Sequence, residues 1–198
     1  YKPNHGRYVS CDCIGESTFE LLKEICSRFT VVFHNMKFDY KMLKYHLDLD
    51  FDRTRVHDTM VMHYVLDETD SHGLKELALK YTDYGDYDAK LDEFKKEYCR
   101  QHGMLNENFT YDLIPFDIIS EYASIDTAVT LELFNKFWPI VQKNDNLRKV
   151  YTEILIPGTL FLMDMEEVGI PISRERMQLA DKYLSTKIEE AKQHIYTF

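Results

Sequence analysis

No stretch of this sequence stays apolar for the roughly 18 to 20 residues that a membrane-spanning helix needs, and the opening "YKPNHGRYVS" lacks the apolar centre of a signal peptide. Membrane insertion and export are therefore not expected. Cysteine is scarce: Cys11, Cys13, Cys26 and Cys99 are the whole complement, too few and too scattered for a disulfide framework in 198 residues. They read as thiols in a reducing compartment. Basic residues are in deficit, 24 against 34 acidic ones, for a formal net charge of −10. A protein that wraps duplex DNA by neutralising many phosphates needs the opposite balance. A nuclease does not, because carboxylates that hold divalent cations put negative charge where phosphate binds, and the cations invert the local field. Internal repeats and low-complexity tracts are also missing. The first residue is Tyr1 and not methionine, as expected of a processed or trimmed piece of something longer.

What is there is 44% apolar content, enough to bury a full core, in a length that fits one domain plus an appendage. "GRYVSCDC" alternates and predicts a strand. "STFELLKEICSRF" places Phe19, Leu22, Ile25, Cys26 and Phe29 at helical spacing, with Ser17 or Thr18 as N-cap. "TVVFHN" is the short apolar run of a strand buried on both faces, and "MKFDYKMLKYHL" predicts the helix after it. Beyond "RVHD", with Asp58 or Thr59 as cap, "TMVMHYVLDET" predicts a helix, and "SHGLKELALKYT" another from near Gly73. This order suits an α/β arrangement of helices packed on a sheet.

From Tyr84 to Phe116 the texture turns charged and aromatic, a surface element with one helical patch and an excursion around "NENFTYD". Its aromatics suit a core or a cover better than a platform for bases. Asp117 then caps a long helix whose apolar period runs from Ile118 to Phe137 and which Pro139 stops. A further helix through "LRKVYTEILIPGTLFLMDMEEVG" is expected to kink near Pro157. "GIPI" makes a short extended turn, and Ser173 caps a last amphipathic helix. Composition becomes purely helical near residue 140, so the expected domains are 1–140 and 141–198.

On the long helix the stripe Ile118, Tyr122, Ile125, Val129, Leu133 runs beside Asp126, one turn after Tyr122, so the phenol and the carboxylate face the same way. A carboxylate beside a buried stripe has to be paired, hydrogen-bonded or coordinated to a cation. A salt bridge or a half-exposed position is the plain alternative. Asp39, near the start of the helix after "TVVFHN", poses the same question, and two such acids from two elements make a site more plausible.

"HNMKFDYKML" resembles the second motif, and "YASID" the third, of the 3′ to 5′ exonucleases of the DEDD superfamily, in which four acids hold two divalent metals. Tyr122 stands four residues before Asp126, with Glu121 in the slot where the other subclass has His, so the third motif resembles the tyrosine subclass. The N-x-K-x-D arrangement of Asn35, Lys37 and Asp39, with "HDTMVMHYVLDE" and "GLKELALKY", is similar to the proofreading domain of family A DNA polymerases. "MDMEEVGIPISRERM" resembles the passage where those enzymes leave the exonuclease domain and begin the polymerase domain. The resemblance covers nearly the whole chain and keeps its order.

The resemblance implies a ribonuclease H-like exonuclease fold, a mixed sheet flanked by helices, N-terminally truncated and with a helical C-terminal extension. Residues 1–140 would be the exonuclease-like domain, and 141–198 a helical connector and the start of the polymerase thumb region. It implies hydrolysis of 3′-terminal nucleotides with two Mg²⁺ or Mn²⁺ ions. Asp126 would serve the catalytic metal, Asp39 the second metal directly or through water, and Tyr122 would orient the attacking water. Asn35 would touch the terminal nucleotide or its support, although capping the following helix is an equally good role; Lys37 is a further substrate-binding candidate. The implied partners are a single-stranded DNA 3′ end, the primer-template and the remainder of a polymerase chain. No membrane is implied, and the setting would be the cytoplasm, in a bacterial or phage-encoded replisome.

One departure counts against a complete site. The first motif of the superfamily, D-x-E on an N-terminal strand, precedes the second by further strands, and the sole D-x-E triplet here, Asp164 to Glu166, follows the third motif in a helical stretch. This chain alone is therefore expected to be inactive, as part of a polymerase whose exonuclease needs upstream residues. A degenerate exonuclease-like scaffold, or strands supplied by another chain, stay open. An RNase D-like exoribonuclease would use the same Asp39, Tyr122 and Asp126, but would not be expected to run into "MEEVGIPI". A zinc module from Cys11, Cys13, Cys26, Cys99 and His102 is a rival of another class; residues two apart on a strand point to opposite faces, which separates Cys11 from Cys13. His57, His63 and His72 form no ligand spacing.

Overall fold

Val31–Phe33 (β1) and Val56–Asp58 (β2) pair in parallel, with Val31 opposite Val56, Val32 opposite His57 and Phe33 opposite Asp58. Parallel strands need a crossover, and the helix Met36–Leu47 (α2) supplies it before the chain turns at left-handed Asp48. The computed structural model describes residues 5–10 and 13–197. They fall into two compact units, one up to Phe161 and the other from Leu162.

Before β1 runs Glu16–Arg28 (α1), with Gly15 at its N-cap position instead of Ser17 or Thr18. None of α1 is buried, and Phe29 after it is 58% exposed. The strand expected over "GRYVSCDC" is not formed: residues 6–10 have no regular secondary structure, and Cys11 and Asp12 lie outside the described residues. Alternation favours a strand only where a neighbour supplies the ladder, and the described sheet holds only β1 and β2. This segment instead runs beside a helix. Gly6 approaches the Ser124 carbonyl so closely that a Cβ would overlap it, and the Tyr8 ring meets Phe116 edge-on at 5.6 Å.

Two short helices follow β2, Thr59–Leu66 (α3) and Leu74–Tyr81 (α4), with Asp58 and Gly73 at their N-cap positions. The charged and aromatic stretch contains Ala89–His102 (α5), ended by left-handed Gly103, and two 3₁₀ turns. Leu91, Cys99, Phe109 and Ile114 form its own apolar cluster, against which Tyr122 packs.

The long helix runs Phe116–Lys143 (α6) and contains Pro139, which does not stop it. The proline ring faces solvent, while Phe137 and Val141 are buried on the opposite side. Burial on that side outweighs the lost N–H. The helix starts on Pro115, whose carbonyl accepts from Ile118 and Ile119, and not at an Asp117 cap. α6 packs on α3, α4 and β1, and its buried Val129, Leu133, Phe137 and Val141 form the core with Met62, Leu77 and Ala78. After Asp145–Lys149 (α7), residues Val150–Leu155 are π-helical and lead into Ile156–Val168 (α8). The disturbance expected at Pro157 takes this form, since a widened turn moves the preceding carbonyls away from the ring. In the second unit Ser173 accepts from the Arg176 N–H at 3.3 Å and starts Arg174–Tyr196 (α9), which buries none of its residues. Among the described residues no helix is long and apolar enough to cross a membrane.

Candidate active site

Because β1 and β2 are parallel and in register, both chains leave the sheet at the same end, and two helices begin there. One carboxylate closes both starts. Asp58 is 1% exposed; its Oδ1 accepts from the Asn35, Met60 and Val61 N–H groups at 3.1, 2.9 and 3.4 Å, and its Oδ2 from Met36 N–H at 2.7 Å. Asn35 holds the N-cap position of α2 with a left-handed backbone, but its side chain caps nothing. The capping alternative for Asn35 is thereby corrected: Asp58 reaches across from β2 to do it. His34 Nδ1 lies 2.9 Å from Thr59 Oγ1, and Thr59 donates to the Phe33 carbonyl. Lys37 lies half-buried in the first turn of α2.

Asp39 follows one turn into α2. Burial, then the negative charges of Asp58 and Asp126, push its carboxyl up to about 7. α6 packs against β1, so the fold brings Asp39 and Asp126 from distant parts of the sequence into each other's field. Burial raises the Asp126 carboxyl as well, opposed by hydrogen bonds from Tyr87 and Tyr122 and by the Lys75 charge. Lys75 itself pairs with Asp88, which is 4% exposed.

Tyr122 lies one turn before Asp126 on α6, facing the same way as its spacing predicts, and burial and the nearby carboxylate raise its phenol. A second phenol was not foreseen. Tyr87 donates to Asp126 Oδ1 at 2.5 Å, and its ring stacks on Tyr122 with centroids 5.9 Å apart and planes 25° apart. Burial and the neighbouring Asp126 raise both phenols above the usual range. Tyr87 has no periodic relation to α6; its only sequence signal is the density of acids and aromatics in "DYGDYD".

Among the described residues no three His, Cys, Asp or Glu side chains converge to hold a metal. For the zinc reading, Cys13 is exposed, Cys99 belongs to the apolar cluster on α5, and Cys11 lies outside the described residues. The histidines serve the core: His57 packs on Phe134, Trp138 and Tyr151, and buried His63 contacts His72 and Tyr81 at 2.8 and 3.2 Å.

Residues 3–142, more than half of the chain, match the family model described as 3′-5′ exonuclease of DNA polymerase A. The chain belongs to the 3′-5′ exonuclease family of family A DNA polymerases. It is 47% identical over 200 residues to the DNA polymerase of Escherichia phage T5, covering 98% of this chain and 23% of that protein. It is 32% identical over 163 residues to the DNA polymerase of Bacillus phage SP01, covering 81% and 17%. DNA polymerase I of Borreliella burgdorferi is 26% identical over 186 residues, covering 90% and 19%. The chain thus spans less than a quarter of the length of each of these relatives. The family A exonuclease match takes in β1, α2, β2 and most of α6, with Asn35, Lys37, Asp39, Tyr122 and Asp126 inside it. The family that the motifs resemble is the family shown.

Proposed function

We propose that this chain carries half of the acid site of a 3′-5′ exonuclease within a longer DNA polymerase, where it removes 3′-terminal nucleotides from single-stranded DNA ends. The observation that carries the reading is the approach of Asp39 and Asp126, from α2 and α6, with the Asp39 carboxyl pushed to about 7. Two acids in one half-buried place raise each other's proton affinity, and a divalent cation would relieve that repulsion. Carboxylate oxygens suit hard cations such as Mg²⁺ or Mn²⁺, so Asp39 and Asp126 fit as ligands, with two ions in a complete site. Such ions, when bound, supply charge stabilisation for the attacking and leaving oxygens of an in-line displacement.

The residues of this chain then have separate tasks. Asp126 accepts the Tyr87 hydrogen bond, and the Tyr122 hydroxyl orients the water that attacks phosphorus. The water oxygen bonds to phosphorus, the bridging oxygen leaves as the new 3′ hydroxyl, and a nucleoside monophosphate departs. Asn35 and Lys37, at the start of α2, hold the terminal nucleotide in this reading.

Parallel strands joined by a helix, with α6 packed on β1, support a ribonuclease H-like fold. The family match ends at residue 142, which supports an exonuclease domain over 1–140 and a connector into a polymerase thumb over 141–198. Asp164 and Glu166, the sole D-x-E triplet, lie on α8 and follow the third motif in sequence, so this reading takes the first-motif acids from outside these residues. Primer-template DNA, the rest of the polymerase and a cytoplasmic setting complete the reading. DNA and not RNA is the substrate favoured by relatives that are DNA polymerases.

Release of nucleotide from an end-labelled single strand in Mg²⁺ tests it. The longer polymerase is expected to degrade the strand, its Asp126→Ala variant to lose that activity, and the 198-residue chain alone to show little or none. Activity that survives Asp126→Ala removes Asp126 from the site. Robust degradation by the chain alone sinks the half-site reading, and a longer polymerase that neither degrades DNA nor binds Mn²⁺ at these acids leaves a scaffold domain.

A further inference from the structure

Asp126 accepts from the Tyr87 phenol, whose ring stacks on that of Tyr122, a residue of another element. Tyr122 lies on α6, one turn from the acid, whereas Tyr87 arrives from the connection between α4 and α5. Tyr87 therefore touches both of the others, the acid with its hydroxyl and Tyr122 with its ring. A carboxylate offers roughly four lone-pair positions, so the Tyr87 hydrogen bond would leave room for a cation on Asp126.

The backbone that delivers Tyr87 is itself anchored. Gly85 turns the chain at φ 62°, a conformation that favours glycine. Ala89 N–H closes on the Asp86 carbonyl at 3.3 Å, and Asp92 N–H on the Asp88 carbonyl at 3.0 Å. The buried Asp88 side chain, next in sequence, is gripped by Lys75 of α4. The Leu91, Cys99, Phe109 and Ile114 cluster braces the other side, since Tyr122 packs against it. A tyrosine on a solvated loop loses its hydrogen bond to conformational entropy; this one is held by an ion pair, a turn and a satellite core.

We propose that Tyr87 is a positioning residue of the exonuclease site, fixing the Asp126 carboxylate through its hydroxyl and bracing Tyr122 with its ring. This rests on the exonuclease reading given above. It assigns the α4–α5 connection and α5 a purpose in catalysis: they are the bracket that carries the phenol. Hydrogen-bond partners behind a metal-binding carboxylate are worth about 10- to 100-fold in affinity or activity.

The test uses the longer polymerase that contains this chain, as the parent and as Tyr87→Phe, Tyr87→Leu and Asp126→Ala. Mn²⁺ binding is measured by titration calorimetry, strand degradation as kcat and KM, and the thermal midpoint in chelator. Tyr87→Phe keeps the ring, so Mn²⁺ affinity and kcat are each expected to fall about tenfold or more, with KM for the strand and the midpoint unchanged. Tyr87→Leu, which also removes the brace, is expected to lose more. Mn²⁺ affinity and kcat of Tyr87→Phe within about twofold of the parent overturn the proposal. Loss of activity with unchanged Mn²⁺ affinity and a lowered midpoint also overturns it, because that is a role in folding alone. If Asp126→Ala abolishes binding while Tyr87→Phe changes nothing, only the Tyr87 proposal falls; if Asp126→Ala also binds Mn²⁺ like the parent, the acid-site reading falls with it.

Discussion

Asp39 carries a cost in the fold that sets a direction for its pH dependence. Its carboxyl keeps a proton up to about pH 7 when folded, against about 3.9 in an unfolded chain. Between those values the folded protein binds more protons, so stability falls as pH rises from about 4 to about 7 and stays lower above it. Asp39→Asn removes the term. Urea unfolding in chelator is expected to give equal stabilities near pH 4 and a more stable variant at pH 8, by about 1 to 2 kcal/mol once partial exposure is discounted. A variant that is no more stable at pH 8 would show that neither burial nor the neighbouring acids raise this carboxyl. The placing of Asp39 at a helix start, and of Tyr122 and Asp126 one turn apart on one helix, was legible because spacing within one element fixes facing; their roles belong to the proposed function. The contact of Tyr87 with Asp126 was not, since it joins a turn to a separate helix and no periodicity links them. Asp58 was half legible: its cap on α3 is local, while its reach to Met36 depends on the strand register.

At the scale of elements, helices whose apolar period and cap share one short segment came out as read, among them α3 from Asp58, α4 from Gly73 and α9 from Ser173. The misreadings have physical causes. Val56–Asp58 is three residues long, too short to show alternation, and forms a strand because β1 lies beside it. The alternating "GRYVS" has no ladder among the described residues and instead lies beside Ser124. Pro139 reads as a stop on local grounds, whereas the burial of Phe137 and Val141 carries α6 past it. The carbonyl one turn before Pro139 gets no N–H from it, so Pro139→Ala is expected to restore that bond. The gain should be about 1 kcal/mol after the greater freedom of the unfolded chain is subtracted, read as a higher urea midpoint. An unchanged or lower midpoint would mean that the proline is favoured where it stands.

For the molecule as a whole, much apolar surface stays uncovered. Leu21, Ile25 and Phe29 on and after α1 are 55%, 41% and 58% exposed, and both strands keep an edge without a ladder partner among the described residues. Open edges and apolar faces promote pairing between copies. The isolated chain is expected to associate, with a mass by light scattering that rises with concentration and falls back in Phe29→Lys; a clean monomer at high concentration would count against this. Within the first unit the shared cap at Asp58 has a different consequence. Its carboxylate holds amides of α2 and α3, and its own N–H is donated to Tyr151 Oη at 3.0 Å in the π-helical turn. Segments from three distant parts of the sequence therefore share one anchor, and hydrogen exchange at Met36, Asp58 and Met60 should report a single cooperative opening that frees the starts of α2 and α3 at once.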